Sequence, residues 1–353
     1  MVPPPSDDFA VTGCDIVGQG SFGMVAKCRN TETNNSVAVK VIRGTEDFVD
    51  SAISEIAALK RLRCLDSDTC NIVQWNGFFF DKENICIAFE LLDQSLRYYL
   101  QEEKSWGLSV GELRPILHQV ATALSHLHSI GVVHMDLKPD NIMIVDRHQH
   151  PLKVKLIDFG LAHPVSALKQ GDSMGTLWYF APEMLLGVPF DESIDMWALG
   201  LIMAELAMGC TLYPGEVEYD VLRFIVETQE TRKIKLNSLD GIEQAMGEDI
   251  EHRNDQKLFI SLIKSMLTLD VSDRIKAREV LEHQFFAPSH RQDQGRDPNP
   301  HQAATSRRCG ANGFSVSLPL IQSWMRTSLY CGTSLQCRHP RRQNINNQWF
   351  QTF

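Results

Sequence analysis

The chain has 353 residues, 43% hydrophobic and 22% charged, the composition of a soluble globular protein with room for a large core, and this excludes fibrous and wholly disordered classes. Its formal net charge is −10, yet from Ala287 onward eight arginines face only two aspartates, so the first 286 residues are strongly acidic and direct nucleic-acid binding is not expected of the folded part. Nine cysteines without a C-x-x-C pair argue against a zinc ribbon or thioredoxin-type motif and predict reduced thiols.

Residues 1–10 read as an N-terminal extension. Pro3, Pro4, Pro5, Asp7 and Asp8 stand where a secretory signal would need a basic region and an apolar run, so an intracellular protein is expected. Between Cys14 and Phe89, short Val-, Ile- and Phe-rich runs predict strands at Cys14–Val17, Val25–Cys28, Val37–Ile42 and Ile85–Phe89. One helix interrupts them: Phe48, Ala52, Ile56, Leu59 and Leu62 recur at spacings of three and four, with Glu55 and Lys60 on other faces. After Leu92 the pattern is mostly helical, as in Leu113, Leu117, Val120, Leu124 and Leu127, and again over Ile194–Met208. The apolar stretch Trp197–Gly209 is broken by Glu205 and falls short of the roughly 20 residues that span a bilayer, so it predicts a buried helix and no membrane partner. A small β-rich lobe thus precedes a larger α-rich lobe, with no internal repeat. Residues 287–353 lose this periodicity, are basic, and are expected to be disordered, available as a tether to a partner or to nucleic acid.

The residues that carry chemistry follow the same order. Gly18-Gln19-Gly20-Ser21-Phe22-Gly23 lies between two predicted strands, and glycines without a Cβ let backbone N–H groups come close to phosphate. A dinucleotide fold would need a helix straight after the glycines, whereas Met24–Cys28 reads as a strand, and a glycine-rich hairpin with no ligand remains an alternative for this motif alone. Val37-Ala38-Val39-Lys40 leaves one lysine among apolar neighbours, with Glu55 on the next helix as an available partner. Then come His134-Met135-Asp136-Leu137-Lys138-Pro139-Asp140-Asn141, the apolar Ile142–Val145, Asp158-Phe159-Gly160, Ala181-Pro182-Glu183 and Asp195-Met196-Trp197-Ala198-Leu199-Gly200.

Together these motifs resemble the eukaryotic protein kinases over roughly Asp15 to Phe286. The resemblance implies an α+β, bilobal fold over residues 11–286: an antiparallel β-sheet lobe with one helix (11–89), a hinge (90–92) and a larger, mostly helical lobe (93–286). It implies ATP as phosphoryl donor and magnesium as the metal, with proteins carrying serine or threonine as acceptors. Asp136 would orient the incoming hydroxyl and take its proton, Lys138 would neutralise charge growing on the phosphoryl group, and Lys40, held by Glu55, would reach the α- and β-phosphates. Asn141 and Asp158 would hold magnesium through oxygen. The glycine loop (Gly18, Gln19, Gly20, Ser21, Phe22, Gly23) would cover the phosphates, and Val25, Ala38 and Met143 would sandwich the base. Phe89 would close the back of the adenine pocket, with Glu90, Leu91 and Leu92 as the hinge, while Arg274 is expected to pair with Glu183 structurally.

Lys138 and Thr176 resemble the serine/threonine branch. Val145-Asp146, Lys153–Asp158, Leu186–Phe190, Leu212–Gly215, Glu218-Tyr219-Asp220 and Phe224–Gln229 are similar to the homeodomain-interacting protein kinases. That kinship implies a nuclear or cytoplasmic enzyme with transcription regulators among its partners. The chain also departs from the pattern. Met135 stands where most kinases carry an arginine, and a thioether makes no charge-assisted bonds to an activation-loop phosphate, so constitutive activity is expected. The loop from Leu161 to Phe180 offers Ser166, Ser173, Thr176 and Tyr179, with Ser173 at the subfamily's tyrosine position and Phe180 in place of an arginine. A kinase fold that binds partners without catalysis is the alternative to an enzyme, and the presence of Lys40, Asp136 and Asp158 speaks against it.

Overall fold

The computed structural model describes residues 11–19, 23–171, 174–230, 239, 242, 246 and 253–287. The expected extension at 1–10, Gly20, Ser21, Phe22, Ser173 and the tail from 288 on lie outside the described residues.

The first lobe is a five-stranded antiparallel sheet in the order β1-β2-β3-β5-β4, built from β1 (Val11–Gln19), β2 (Gly23–Asn30), β3 (Ser36–Ile42), β4 (Trp75–Asp81) and β5 (Asn84–Glu90). Side chains alternate across β3. Val37 and Val39 turn to one face, where Ala26, Cys28, Cys86 and Ala88 complete a small apolar layer. Ala38 and Lys40 turn to the other, directly across from Phe89 and Ile87 of β5, and Lys40 also faces Val25 of β2. Gly23 is fixed by packing, because a Cβ there would sit 1.9 Å from the Val41 carbonyl oxygen. Strand β4 escapes the sequence reading: its Trp-Asn-Gly-Phe-Phe-Phe run does not alternate, and its register slips between Trp75 and Gly77.

The single helix of this lobe, α1 (Glu46–Leu62), turns Ala52, Ile56, Leu59 and Leu62 onto β3 and β5. Glu55, expected as the partner of Lys40, is buried beside them. A difference from expectation concerns the cysteines. Cys14 and Cys28, at a register slip of the β1–β2 pair, are joined in a disulfide, whereas Cys64, Cys70, Cys86 and Cys210 are free thiols. No spacing motif announces this pair, since adjacency on neighbouring strands creates it.

The larger lobe is helical. After the short β6 (Gln94–Ser95) come α2 (Leu96–Glu103) and α3 (Val110–Ser129). Ser109 and Glu112 cap the start of α3 reciprocally, satisfying two orphan donors. Helix α5 (Ser193–Met208) is buried on every side from Ile194 to Ala207, which is how a helix apolar all round must sit. It ends at Gly209 with φ 76°, where a Cβ would meet the Ser105 carbonyl oxygen at 2.5 Å. Around it pack α3, α4 (Pro182–Leu185), α6 (Glu218–Glu230), α7 (Arg253–Met266) and α8 (Ala277–Leu281). The expected pair forms. The fully buried Arg274 reaches Glu183 Oε2 at 3.0 Å, bonds the Ser193 and Thr268 carbonyls, and lies over the Trp197 ring at 5.2 Å.

Candidate active site

A hairpin explains how distant residues meet. The short β7 (Val132–Val133) leads into the loop His134–Lys138, a 3-10 turn Pro139–Asn141, then β8 (Ile142–Asp146) and β9 (His150–Leu156). Ile142 pairs with Leu156, so Asn141 and Asp158 emerge together at the open end of the hairpin, tied by a 2.9 Å bond from the Ile157 amide to the Asn141 carbonyl.

The loop is shaped from beneath. Asp195, near the start of α5, accepts from the backbone amides of His134 at 2.9 Å and Met135 at 3.1 Å and lies 3.0 Å from His128 Nε2. These bonds hold Met135 at φ 69°, a left-handed conformation that costs a side-chain-bearing residue roughly 1–2 kcal/mol. The Met135 side chain itself is buried in the apolar core. His134 Nδ1 accepts from the Asp136 amide at 3.3 Å, so its Nε2–H donates to the Ile157 carbonyl at 3.0 Å, and its ring packs edge-on against Phe159.

Asp136 is consequently aimed with little freedom. Its Oδ1 accepts the Thr176 hydroxyl at 2.7 Å, and its Oδ2 accepts Lys138 Nζ at 2.7 Å and Asn141 Nδ2 at 3.2 Å. Lys138 also donates to the Thr176 hydroxyl at 3.1 Å. On the other wall, Lys40 Nζ lies 2.9 Å from Glu55 Oε2 and 3.0 Å from Asp158 Oδ1. Burial alone would favour neutral Lys40, but Asp158 and Glu55 outweigh it and hold the ammonium above the ordinary lysine value. Burial raises Glu55 above its usual range against the pull of Lys40. Asp158 feels the same burial, yet Lys40 prevails and keeps it below the usual aspartate value.

Beside Lys40, Glu55 and Asp158 lies a cavity of about 670 Å³, counting the solvent at its mouth, and Asp136, Lys138 and Asn141 are outside its lining. Of the residues expected at a nucleotide, Gly18, Val25, Ala38, Lys40, Phe89, Glu90, Leu92 and Met143 line it, together with Glu55 and Asp158. Gln19 ends β1, and Gly23 is outside this lining. The Glu90 carboxylate is engaged elsewhere, on Lys155 at 2.7 Å and the Gln74 amide at 2.6 Å, so at the hinge its backbone is what faces a base. Sequence reasoning missed Val17, Val73 and Ile157, which also line the cavity. Val17 could have been found from strand alternation beside the glycines, whereas Val73 and Ile157 carry no local signal.

The donor set fits a hard divalent cation. Asn141 Nδ2 is spent on Asp136, while its buried Oδ1 has no hydrogen-bond partner among the described residues, and Asp158 supplies a carboxylate beside it in the hairpin. Two oxygen ligands, with nucleotide phosphates completing the shell, are what magnesium takes in phosphoryl-transfer sites.

Comparison with known proteins agrees with this geometry. The family model described as protein kinase domain matches residues 12–286. Homeodomain-interacting protein kinase 1 of Mus musculus is 36% identical over 329 residues, covering 78% of this chain and 27% of its own length. Homeodomain-interacting protein kinase 2 of Mesocricetus auratus is also 36% identical, covering 78% of this chain and 28% of its own. Homeodomain-interacting protein kinase 4 of Homo sapiens is 32% identical over 334 residues, covering 77% and 54% respectively. The chain therefore spans between about a quarter and about half of these relatives' lengths. Because the family match runs from β1 through the last described helix and encloses the whole cleft, the chain belongs to the protein kinase domain family.

Proposed function

We propose that this protein transfers the γ-phosphoryl group of ATP to serine or threonine hydroxyls of other proteins. The observation that supports the reading is Lys40 bonded to Glu55 and Asp158 on the cavity wall, next to a loop on which Asp136 is bonded by Lys138 and Asn141, the two parts tied by the bond from the Ile157 amide to the Asn141 carbonyl. The apolar faces of Val25, Ala38 and Met143 take the adenine, and Lys40, with its charge assured by two carboxylates, reaches the α- and β-phosphates. Asn141 and Asp158 hold magnesium, which when bound neutralises charge on the phosphates.

Asp136 orients the acceptor hydroxyl and receives its proton, with Thr176, Lys138 and Asn141 fixing both carboxylate oxygens. Lys138 stands close enough to stabilise charge on the phosphoryl group in flight. Kinship with the homeodomain-interacting protein kinases supports a nuclear, transcription-regulatory setting with homeodomain proteins among the partners. No described helix is long and apolar enough to cross a membrane.

The test is labelled-phosphate incorporation from ATP into a generic basic protein by wild type, Asp136→Ala and Lys40→Met. Incorporation confined to wild type and landing on serine or threonine is expected. Equal incorporation by all three would return the chain to a partner-binding scaffold.

A further inference from the structure

A buried polar cluster outside the cleft lies under the activation segment, the stretch between Asp158-Phe159-Gly160 and Ala181-Pro182-Glu183. Arg97, in the first turn of α2, is its hub. Its Nη2 donates to the Tyr179 hydroxyl at 2.6 Å, its Nε to Asp140 Oδ2 at 3.3 Å, and its Nη1 to Glu205 Oε1. The Tyr179 hydroxyl in turn donates to Glu205 Oε2 at 2.6 Å, and Thr211 donates to Glu205 Oε1 at 2.9 Å. Tyr179, Asp140 and Glu205 are buried, and the Arg97 side chain is 12% exposed.

Each partner sits on a different element. Asp140 belongs to the 3-10 turn that carries Asn141. Tyr179 closes the 3-10 turn Leu177–Tyr179, three residues after the Thr176 that bonds Asp136. Glu205 is on the buried α5, which also holds the catalytic loop through Asp195. One planar guanidinium thus bonds the activation segment, the loop turn and the central helix at once, a geometry that a lysine's point charge would not reproduce. Two carboxylates, Asp140 and Glu205, share this single cation. Met135, buried and without charge, offers a phosphate on this segment no partner.

On the kinase reading above, we propose that Arg97 is a positioning residue that locks the activation segment onto the catalytic loop through Tyr179, Asp140 and Glu205, so that the segment holds its working shape without being phosphorylated. Tyr179 is the latch of this lock, and among the described hydroxyls that the loop offers, Ser166, Thr176 and Tyr179, it is the buried one.

The experiment compares the full chain as wild type, Tyr179→Phe, Arg97→Met and the double variant. Read-outs are amide hydrogen exchange over residues 174–181, steady-state phosphorylation of a generic basic protein, and KM for ATP. Breaking a charge-assisted bond should speed exchange over 174–181 by roughly tenfold or more and lower kcat by about the same factor, while KM for ATP stays within about twofold. The double variant should be no worse than Arg97→Met, because both changes cut one latch. Phosphatase-treated wild type should keep its kcat. Unchanged exchange in Tyr179→Phe, a KM for ATP that rises as steeply as kcat falls, or turnover abolished by phosphatase would each overturn the proposal. Should Arg97→Met fail to fold, the isosteric Tyr179→Phe decides alone. Should wild type transfer no phosphate, the kinase reading fails, and hydrogen exchange still decides the lock.

Discussion

Two buried clusters of charge solve opposite problems. Arg274 and Glu183 meet one to one, Arg274 also donates to the Ser193 and Thr268 carbonyls and lies over the Trp197 ring, and neither residue lines the cleft. Lys40 faces two carboxylates at once, Glu55 and Asp158, on the wall of a cavity of about 670 Å³. The first cluster is complete and can do nothing but hold α4 to the chain after α7. The second carries a surplus of negative charge at the edge of an open space, which suits it to a cation and to the phosphates that accompany one. The lesson is that charge balance, read together with an adjoining cavity, separates a structural ion pair from a working site.

Mutations should break that distinction cleanly. The largest effect is expected from Asp136→Asn: removing the proton acceptor should cut phosphate incorporation by roughly 10²–10⁴-fold while a fluorescent ATP analogue still binds. Next is Glu183→Ala, which leaves Arg274 buried and unpaired; urea denaturation should show a loss of about 3–5 kcal/mol, with KM for ATP unchanged in the protein that remains folded. Lys40→Met should do the reverse. Turnover should drop by about a hundredfold with little change in the urea midpoint, because Glu55 and Asp158 open onto the cavity and can take up protons or a cation. A midpoint shift as large as that of Glu183→Ala would erase the contrast.

The smallest effect belongs to a third kind of buried group. Cys86, in the outer apolar layer of the sheet, is pushed by burial from the ordinary thiol value of 9.0 up to about 11. The unfolded thiol loses its proton first, so stability should fall as pH rises from 9.0 towards about 11, by at most about 2–3 kcal/mol. Lys40, raised above the ordinary lysine value of 10.5, adds a loss of the same sign that begins only above that value. Cys86→Ala should flatten the lower part of this alkaline limb in thermal melts, and an unchanged slope would remove Cys86 from the account.

Much of this was legible in the chain. Val-, Ile- and Phe-rich runs located β2, β3 and β5, three-four spacing located α1 and α3, and a long apolar stretch located α5, because the apolar pattern of each element follows how much of it the core covers. Strand β4 was not legible, since Trp75-Asn76-Gly77-Phe78-Phe79-Phe80 carries apolar residues on both faces across a register slip. Lys155 is almost fully buried in β9, paired with Glu90 and Asp68, which reach it from elsewhere in the chain. Tyr179 reads as one loop hydroxyl among several and proves to be a buried link to Arg97 and Glu205.

What the order of residues determined by itself is therefore local: which stretches are strand or helix, and which side chains stand within a few positions of one another, as Asp136, Lys138 and Asn141 do. Only the tertiary structure decided the pairings across the chain, such as Lys40 with Asp158, Cys14 with Cys28, and Arg97 with Tyr179. The reason is physical. Periodicity and turn chemistry act over a few residues, whereas the partner of a buried charge is chosen by which elements the core brings together, and that choice leaves no mark in the neighbouring sequence.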